Sequence, residues 1–241
     1  MFTDALMTLG TEEQKSHYVP LADHLNIIGC YAQTELGHGS NVAGLEMTAT
    51  YDERTEEFLI HSPTIKAAKF WPGALGLQST HAVVFARCIS LGNDYGVQAF
   101  IVQIRDLETH EPLPGVEVGD LGTKLGYTSV DNGYLLLKNL RVPRSALLAR
   151  FSEITREGDF ELKSDPRLLY QIMSKTRLGI IFACGFNIFR SGIVATRYAV
   201  CRRQFANQKG TKEERKLLDY HVHMELLGKN LGNGLTIMLV A

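Results

Sequence analysis

The segment Tyr31-Ala-Gln-Thr-Glu-Leu-Gly-His-Gly-Ser-Asn41 places a hydroxyl-bearing residue ahead of a glycine-rich loop. At the end of a strand it can offer the Thr34 hydroxyl and backbone N–H groups to a polar heterocycle or a phosphate, because glycine lets the backbone come close. A Gly-rich turn between two strands is the commoner use of such a pattern. Its spacing matches neither the dinucleotide fingerprint nor the Walker loop, which argues against NAD(P) or ATP in their usual binding modes. In Lys69-Phe-Trp-Pro-Gly-Ala-Leu-Gly76 the chain's only tryptophan stands beside a Pro-Gly turn. Trp71 can flank a planar cofactor there, although a half-buried aromatic at a strand end is more frequent. Lys124 to Tyr134 reads as a loop followed by a hairpin turn at Asp131-Asn132-Gly133. In Arg197 to Phe205, Arg202 or Arg203 can clamp a phosphate through a bidentate fork, the plainer role being a solvated basic helix end.

Other chemistries find less support. His221 and His223 are two apart, so on a helix they point in different directions and cannot share a metal. His38 reads as a turn residue rather than a base, and no nucleophile elbow is present. Cys30, Cys88, Cys184 and Cys201 are far apart and form no CxxC, so neither a zinc site nor a disulfide framework is expected. A formal net charge of -1 steers the chain toward neither nucleic acid nor an anionic membrane. The most apolar window, Leu178 to Ala195, approaches the length of a membrane span. Asn187 and Arg190 interrupt it and Arg177 and Arg197 flank it, so a helix buried within a protein is expected and no membrane span. The first ten residues, with Asp4 and no basic stretch, do not form a secretory signal.

Three textures position these segments. Met1 to about Leu25 reads as two short helices: Phe2, Ala5, Leu6 and Leu9 share a face, Gly10 stops the first, and Thr11 with Glu13 and Gln14 resembles an N-cap. From Asn26 to Ala149 the runs Ile27–Ala32, Glu57–Ser62, His81–Cys88, Val97–Ile104 and Tyr134–Leu140 read as strands between turn signals. No helix-length amphipathic segment intervenes, which favours antiparallel strands in a barrel or sandwich. After a turn-rich linker (Glu157-Gly158-Asp159, Ser164-Asp165-Pro166) the pattern turns helical. Leu168, Leu169, Ile172, Met173, Ile180, Ile181, Cys184, Ile188 and Ile193 carry it; Gly210 breaks it, and a second long helix is expected from Glu213 to Val240. The fold class is therefore α+β: a central antiparallel β-barrel or sandwich domain flanked by helices, then the start of a C-terminal helical bundle. Two long helices alone would leave much apolar surface open.

Taken together, YAQTELGHGSN, the FWPG turn and KLGYxxxDNGY resemble, in order and spacing, the acyl-CoA oxidase branch of the acyl-CoA dehydrogenase superfamily. The resemblance covers nearly the whole chain and is strongest over Gly29–Leu45, Lys69–Gly76 and Pro112–Pro143. It implies residues 1–25 as the remnant of an N-terminal helical domain, 26–150 as the β-domain that binds flavin and substrate, and 166–241 as the first helices of a C-terminal bundle. It implies FAD as cofactor. Thr34 matches the threonine that meets the flavin ring, Gly73 matches a second flavin contact beside Trp71, and Arg202, with Gln204 and Phe205, resembles the RxxF segment that reaches the FAD of the neighbouring subunit. Ala206 replaces the glycine usual after that Phe. Ser40 matches a contact to the CoA portion, and Tyr127 a tyrosine near the acyl head. Dehydrogenases of the superfamily usually carry a threonine where Gly73 stands; glycine would leave room for dioxygen beside the flavin.

The reaction so implied is α,β-dehydrogenation of a fatty acyl-CoA to the trans-2-enoyl-CoA, with O2 reduced to hydrogen peroxide in the peroxisome, by a homodimer. In the family a glutamate removes the α-proton. That residue is expected beyond Ala241, so no catalytic residue is nominated within the chain, and Glu35, Glu46 and Glu225 are not taken as the base. Two other readings are a catalytically incomplete homologue that binds FAD or a partner, and a dehydrogenase passing electrons to a flavoprotein carrier.

Overall fold

Phe2, Ala5, Leu6 and Leu9 recur every three or four residues, and helix α1 (Phe2–Leu9) buries all four against the β-sheet. Gly10 ends it, its N–H donating to the Leu6 carbonyl at 2.8 Å. Helix α2 (Glu12–Asp23) begins in a reciprocal cap. Gln14 N donates to Thr11 Oγ1 at 3.2 Å, and Thr11 N donates to Gln14 Oε1 at 3.0 Å. This satisfies two of the donors that every helix start leaves open. The same Gln14 donates through Nε2 to the carbonyls of Ser145 and Leu147, tying α2 to the end of the β-region.

The computed structural model describes residues 1–165, 171–206 and 212–240, which form two units, Met1–Ile172 and Met173–Ala241. In the first unit the strands are β1 (Gly29–Ala32), β2 (Thr48–Asp52), β3 (Glu57–His61), β4 (Lys69–Gly73), β5 (His81–Ser90), β6 (Asn93–Gln103), β7 (Val116–Asp120), β8 (Asn132–Leu137), β9 (Leu140–Pro143), β10 (Ser152–Ile154) and β11 (Phe160–Leu162). A six-stranded sheet has the order β1-β5-β2-β3-β9, with β6 paired to β5; β4, β8 and β7 make a second sheet, and β10–β11 a small hairpin in the expected linker. The β5–β6 hairpin turns at Leu91 and Gly92, both at positive φ, as a tight primed turn requires.

Strand β5 explains the core. Ala82, Val84, Ala86 and Cys88 join Phe58, Ile60, Phe100, Leu135 and Leu137 in one cluster, while Val83 and Phe85 join Phe2, Leu6, Leu9 and Ile101 in another. A strand covered on both faces reads as a continuous apolar run rather than an alternating one. The Phe58 and Phe100 rings meet edge to face at 4.9 Å between centroids.

The α+β class is the one observed, with three differences of detail. Most pairings are antiparallel, but β1 and β2 both run parallel to β5. They lie end to end along one edge of it, and residues 33–47 leave the sheet and return between them. Asn132 and Gly133 are the start of β8 rather than a hairpin turn, because Gly133 backs onto the Gly76 main chain. The run Tyr134–Leu140 is broken at Asn139 (φ 54°), which separates β8 from β9.

One group in this core titrates unusually. His81 is 7% exposed, its Nδ1 lies 3.2 Å from Thr80 Oγ1, and the Tyr18 ring packs edge-on against it. Burial, with the neighbouring His17 as a smaller cause, pushes its pKa down to about 4. Between the unfolded value near 6.5 and this folded value, the unfolded chain binds a proton that the folded chain rejects. Stability is therefore expected to fall by about 1–2 kcal/mol as pH drops through that window, after discounting for residual solvent. Urea unfolding of His81→Leu beside the parent at pH 7 and pH 5 checks it: the parent should lose stability faster, and equal slopes would remove His81 as the cause.

In the second unit, helices α3 (Gln171–Cys201) and α4 (His221–Val240) pack antiparallel along small residues. A β-carbon on Gly185 would stand 2.8 Å from Ile237, one on Gly192 2.7 Å from Leu231, and one on Gly234 2.9 Å from Phe189 N. The seam is thus Gly185, Ile188, Phe189, Gly192 and Ala199, whereas Ile180, Ile181 and Cys184 of the expected apolar face are exposed. Thr176–Cys201 is long and apolar enough to cross a membrane by length and composition, and only 11% of that window is buried, so the buried helix expected from the sequence is not what the described residues show. The second helix starts at His221 rather than Glu213. Strands β12 (Arg203–Ala206) and β13 (Glu214–Lys216) precede it, held by Leu217 N donating to the Arg202 carbonyl. Leu168, Leu169 and Gly210 lie outside the described residues.

Candidate functional site

Because β1 pairs with β5 only as far as Ala32–Val84 and β2 only from Thr48–Arg87, the ladder has a gap where backbone groups lose their partners. Unpaired buried backbone groups are costly, so something must satisfy them. A buried ion pair does. Lys69 Nζ donates to the carbonyls of Gln33 (3.2 Å) and Phe85 (2.5 Å) and to Glu35 Oε1 (2.9 Å). The Glu35 carboxylate accepts from the N–H groups of Glu46 (2.7 Å) and Met47 (3.0 Å). Both side chains are fully buried. Burial lowers the Lys69 pKa to about 8, outweighing the pull of Glu35 in the other direction.

The pair joins the two motifs. Thr34 stands between Gln33 and Glu35, and its carbonyl accepts from Phe70 N at 3.0 Å, next to Lys69. The Thr34 hydroxyl is half-buried and without a hydrogen bond among the described residues. Beyond Phe70 the β4–β8 register slips, a bulge between Phe70 and Gly73 that includes Pro72, which has no N–H to give a ladder. Bulges re-aim side chains. Here Trp71 adopts φ 75° and turns its indole outward, 58% exposed. A non-glycine residue in that region stores strain, of order 1 kcal/mol. Asn132 Nδ2 holds the bulge by donating to the Trp71 carbonyl at 2.7 Å. A β-carbon on Gly73 would meet nothing nearer than 3.9 Å.

The chain after Gly73 is held from both sides. Asp131 Oδ2 accepts from Leu77 N and Gln78 N, and the Asp131 carbonyl accepts from Ala74 N. The buried Arg105 guanidinium donates to the carbonyls of Leu75, Gly76 and Ser79. Glu35, Lys69, Arg105, Asp131 and Asn132 were not singled out from sequence as site residues. A lysine at the head of the Phe-Trp-Pro-Gly run was the one available signal.

Of the residues expected at the site, the structure brings Thr34 next to β4, which carries Trp71 and Gly73. Ser40 lies on the exposed tip of the 33–47 excursion, whose His38 contacts the Glu46 carboxylate, as does Thr64 from the segment after β3. Tyr127 lies in the loop between β7 and β8, 81% exposed and at φ 56°. Arg202 belongs to the second unit, just past the end of α3, where it is exposed, with Phe205 also exposed at φ 62°. The carboxylates set aside above are occupied: Glu35 as described, Glu46 with His38, and Glu225 with Lys229 at 2.6 Å. Burial pushes the Cys30 thiol up to about 12, which removes it as a nucleophile.

An unspent hydroxyl, an outward indole and a glycine with open space before it fit a planar heterocycle on this face. Residues 30–140 match the acyl-CoA dehydrogenase middle domain, and residues 170–241 match the acyl-CoA oxidase C-alpha1 domain. The chain is 49% identical over 231 residues to peroxisomal acyl-coenzyme A oxidase 1 of Arabidopsis thaliana, covering 94% of this chain and 35% of that protein. It is 44% identical to peroxisomal acyl-coenzyme A oxidase 2 of Mus musculus, covering 93% and 33%. Among solved structures, Arabidopsis thaliana acyl-CoA oxidase 1 superposes with a TM-score of 0.93 at 47% identity, over 100% of this chain and 37% of that one. Acyl-CoA oxidase-1 of Caenorhabditis elegans, complexed with FAD and ATP, gives 0.90 at 37% identity, over 99% and 35%. The chain therefore spans about a third of the length of the relatives it matches, and over that span it belongs to the acyl-CoA oxidase family.

Proposed function

We propose that this chain is the flavin- and substrate-contacting part of a peroxisomal, homodimeric acyl-CoA oxidase, which converts fatty acyl-CoA to trans-2-enoyl-CoA and reduces O2 to hydrogen peroxide. The observation that carries the reading is the open face at Thr34, Trp71 and Gly73. In this reading Thr34 would hold the polar edge of the isoalloxazine ring, Trp71 would flank its plane, Ser40 and Tyr127 would meet the CoA portion and the acyl head, and Arg202 would serve the FAD of the neighbouring subunit. FAD bound there would take up two electrons from the acyl chain and pass them to dioxygen. The protein's part is to present the hydroxyl and backbone N–H groups rigidly, to exclude water behind them, and to leave space at Gly73. No general base is assigned within residues 1–241, since Glu35, Glu46 and Glu225 are engaged elsewhere. The FAD-bound worm relative and the peroxisomal names of the plant and mouse relatives support the cofactor and the compartment.

Gly73→Thr tests the oxygen space. The new side chain finds room, and Gly73 has no left-handed φ to lose, so stability is expected to change by about 0.5 kcal/mol or less. In the full-length enzyme, peroxide production from acyl-CoA is expected to fall by roughly tenfold, about 1.4 kcal/mol of barrier, while reduction of an electron-acceptor dye continues. Equal loss of both activities, or of neither, would remove Gly73 from the oxygen path.

A further inference from the structure

We infer that Glu35 and Lys69 are positioning residues of the flavin face: their buried pair fixes how the exit of β1, with Thr34, stands against β4, with Trp71 and Gly73. The inference rests on the reading of that face as the flavin site. A buried ion pair is in general weak evidence for stability, since an apolar pair of similar volume often serves as well. Its best attested use is to fix register, and here its hydrogen bonds do that. Apart from the bond between the two, every hydrogen bond of the pair goes to main chain bordering the gap: Gln33 O and Phe85 O on the lysine, Glu46 N and Met47 N on the glutamate.

Position along each strand bears on the case. Glu35 is buried while Thr34, one residue earlier, faces partly outward; Lys69 is buried, and Trp71, two residues later, is exposed because the bulge between Phe70 and Gly73 breaks the alternation there. The anchor is buried while the contact residues beside it reach the surface. The two segments are joined here by Phe70 N donating to the Thr34 carbonyl and Leu36 N donating to the Ala68 carbonyl, and Glu35 and Lys69 stand opposite each other between those two bonds. Without the pair, the excursion 33–47 keeps its glycines but loses the charges that hold both of its ends. Trp71 could then relax from φ 75°, a conformation that persists only where its surroundings impose it.

The test uses the 241-residue chain and two variants: Glu35→Leu with Lys69→Met, which removes both charges together, and Glu35→Gln, which keeps the shape and the acceptor oxygen. Because Trp71 is the only tryptophan, its emission maximum and its quenching by acrylamide report the turn directly, without cofactor. FAD titration supplies the second readout and urea unfolding the third. The expected result is cooperative unfolding in both variants, Trp71 quenching altered at least about twofold, and FAD affinity weakened roughly tenfold. A plug that serves only the core would leave both the quenching and the FAD affinity as in the parent, and that outcome overturns the inference. Should the double variant fail to fold, Glu35→Gln decides it by the same two readouts. Should the parent itself bind no FAD, the flavin reading fails, and Trp71 quenching still shows whether the pair positions the turn.

Discussion

Lys69→Met alone is expected to lower the free energy of unfolding by about 3–5 kcal/mol, because it strands the Glu35 carboxylate in the core without its counter-charge. Three hydrogen bonds go with the ammonium, and the Gln33 and Phe85 carbonyls are left unpaired where water does not reach. Removing the glutamate as well takes away the uncompensated charge. Glu35→Leu with Lys69→Met should therefore recover a large part of the loss, and the double-mutant cycle should show coupling of about 1–3 kcal/mol. Urea unfolding at pH 7 measures all four corners. If the single variant loses less than about 1 kcal/mol, the pair is not what closes the gap between β1 and β2.

Gly133→Ala is the second large effect. A β-carbon there would lie 2.3 Å from Gly76 N, 2.6 Å from its Cα and 2.8 Å from the Leu75 carbonyl carbon, all of them backbone. Main chain cannot swing aside as a long side chain can, so β8 must separate from the turn that follows β4. A loss of about 3 kcal/mol is expected, with FAD binding lost alongside because Asn132, which holds the Trp71 bulge, is the next residue. Gly126→Ala is the control: nothing lies within 4 Å of its β-carbon position, and it should cost about 0.5 kcal/mol or less. Thermal unfolding of the three proteins side by side checks the ranking. A Gly133→Ala protein as stable as the control would mean that the two glycines do not need their close approach.

What the sequence made legible follows from how local each signal is. The caps and faces of α1 and α2 depend on residues three or four apart, and both helices are where the pattern put them. Strands β5 and β6 read clearly because each is long and apolar. Strand β4 was not seen, since it opens on a lysine and contains a proline; it is an edge strand with a bulge, where a proline is tolerated, and its lysine is buried only because the Glu35 carboxylate accompanies it. Strands β2 and β7 were missed because each is short and mixes threonine, acid and glycine with few apolar residues. The seam of α3 was misplaced for a related reason: periodicity finds apolar faces, and this seam runs along glycines whose value lies in letting α4 approach.

The site divides in the same way. Thr34, Trp71 and Gly73 stand in short motifs that taken together carry the family resemblance, and the resemblance is what names them as candidate contacts. The Glu35–Lys69 pair that sets them against each other is separated by 34 positions and has no periodic signature. Nor could spacing foretell that Arg105 would hold the carbonyls after Gly73. Contact residues are written in short motifs, while the residues that support them come from distant parts of the chain.

The most direct measurement is the fluorescence of Trp71 in the purified 241-residue chain during titration with FAD, at concentrations up to about 100 μM. If the face at Thr34, Trp71 and Gly73 holds the flavin, the single tryptophan is quenched saturably with one FAD per chain, and Thr34→Ala shifts the curve to weaker binding by roughly tenfold. If a chain shown to be folded by circular dichroism gives no saturable quenching, the flavin assignment of this face is contradicted.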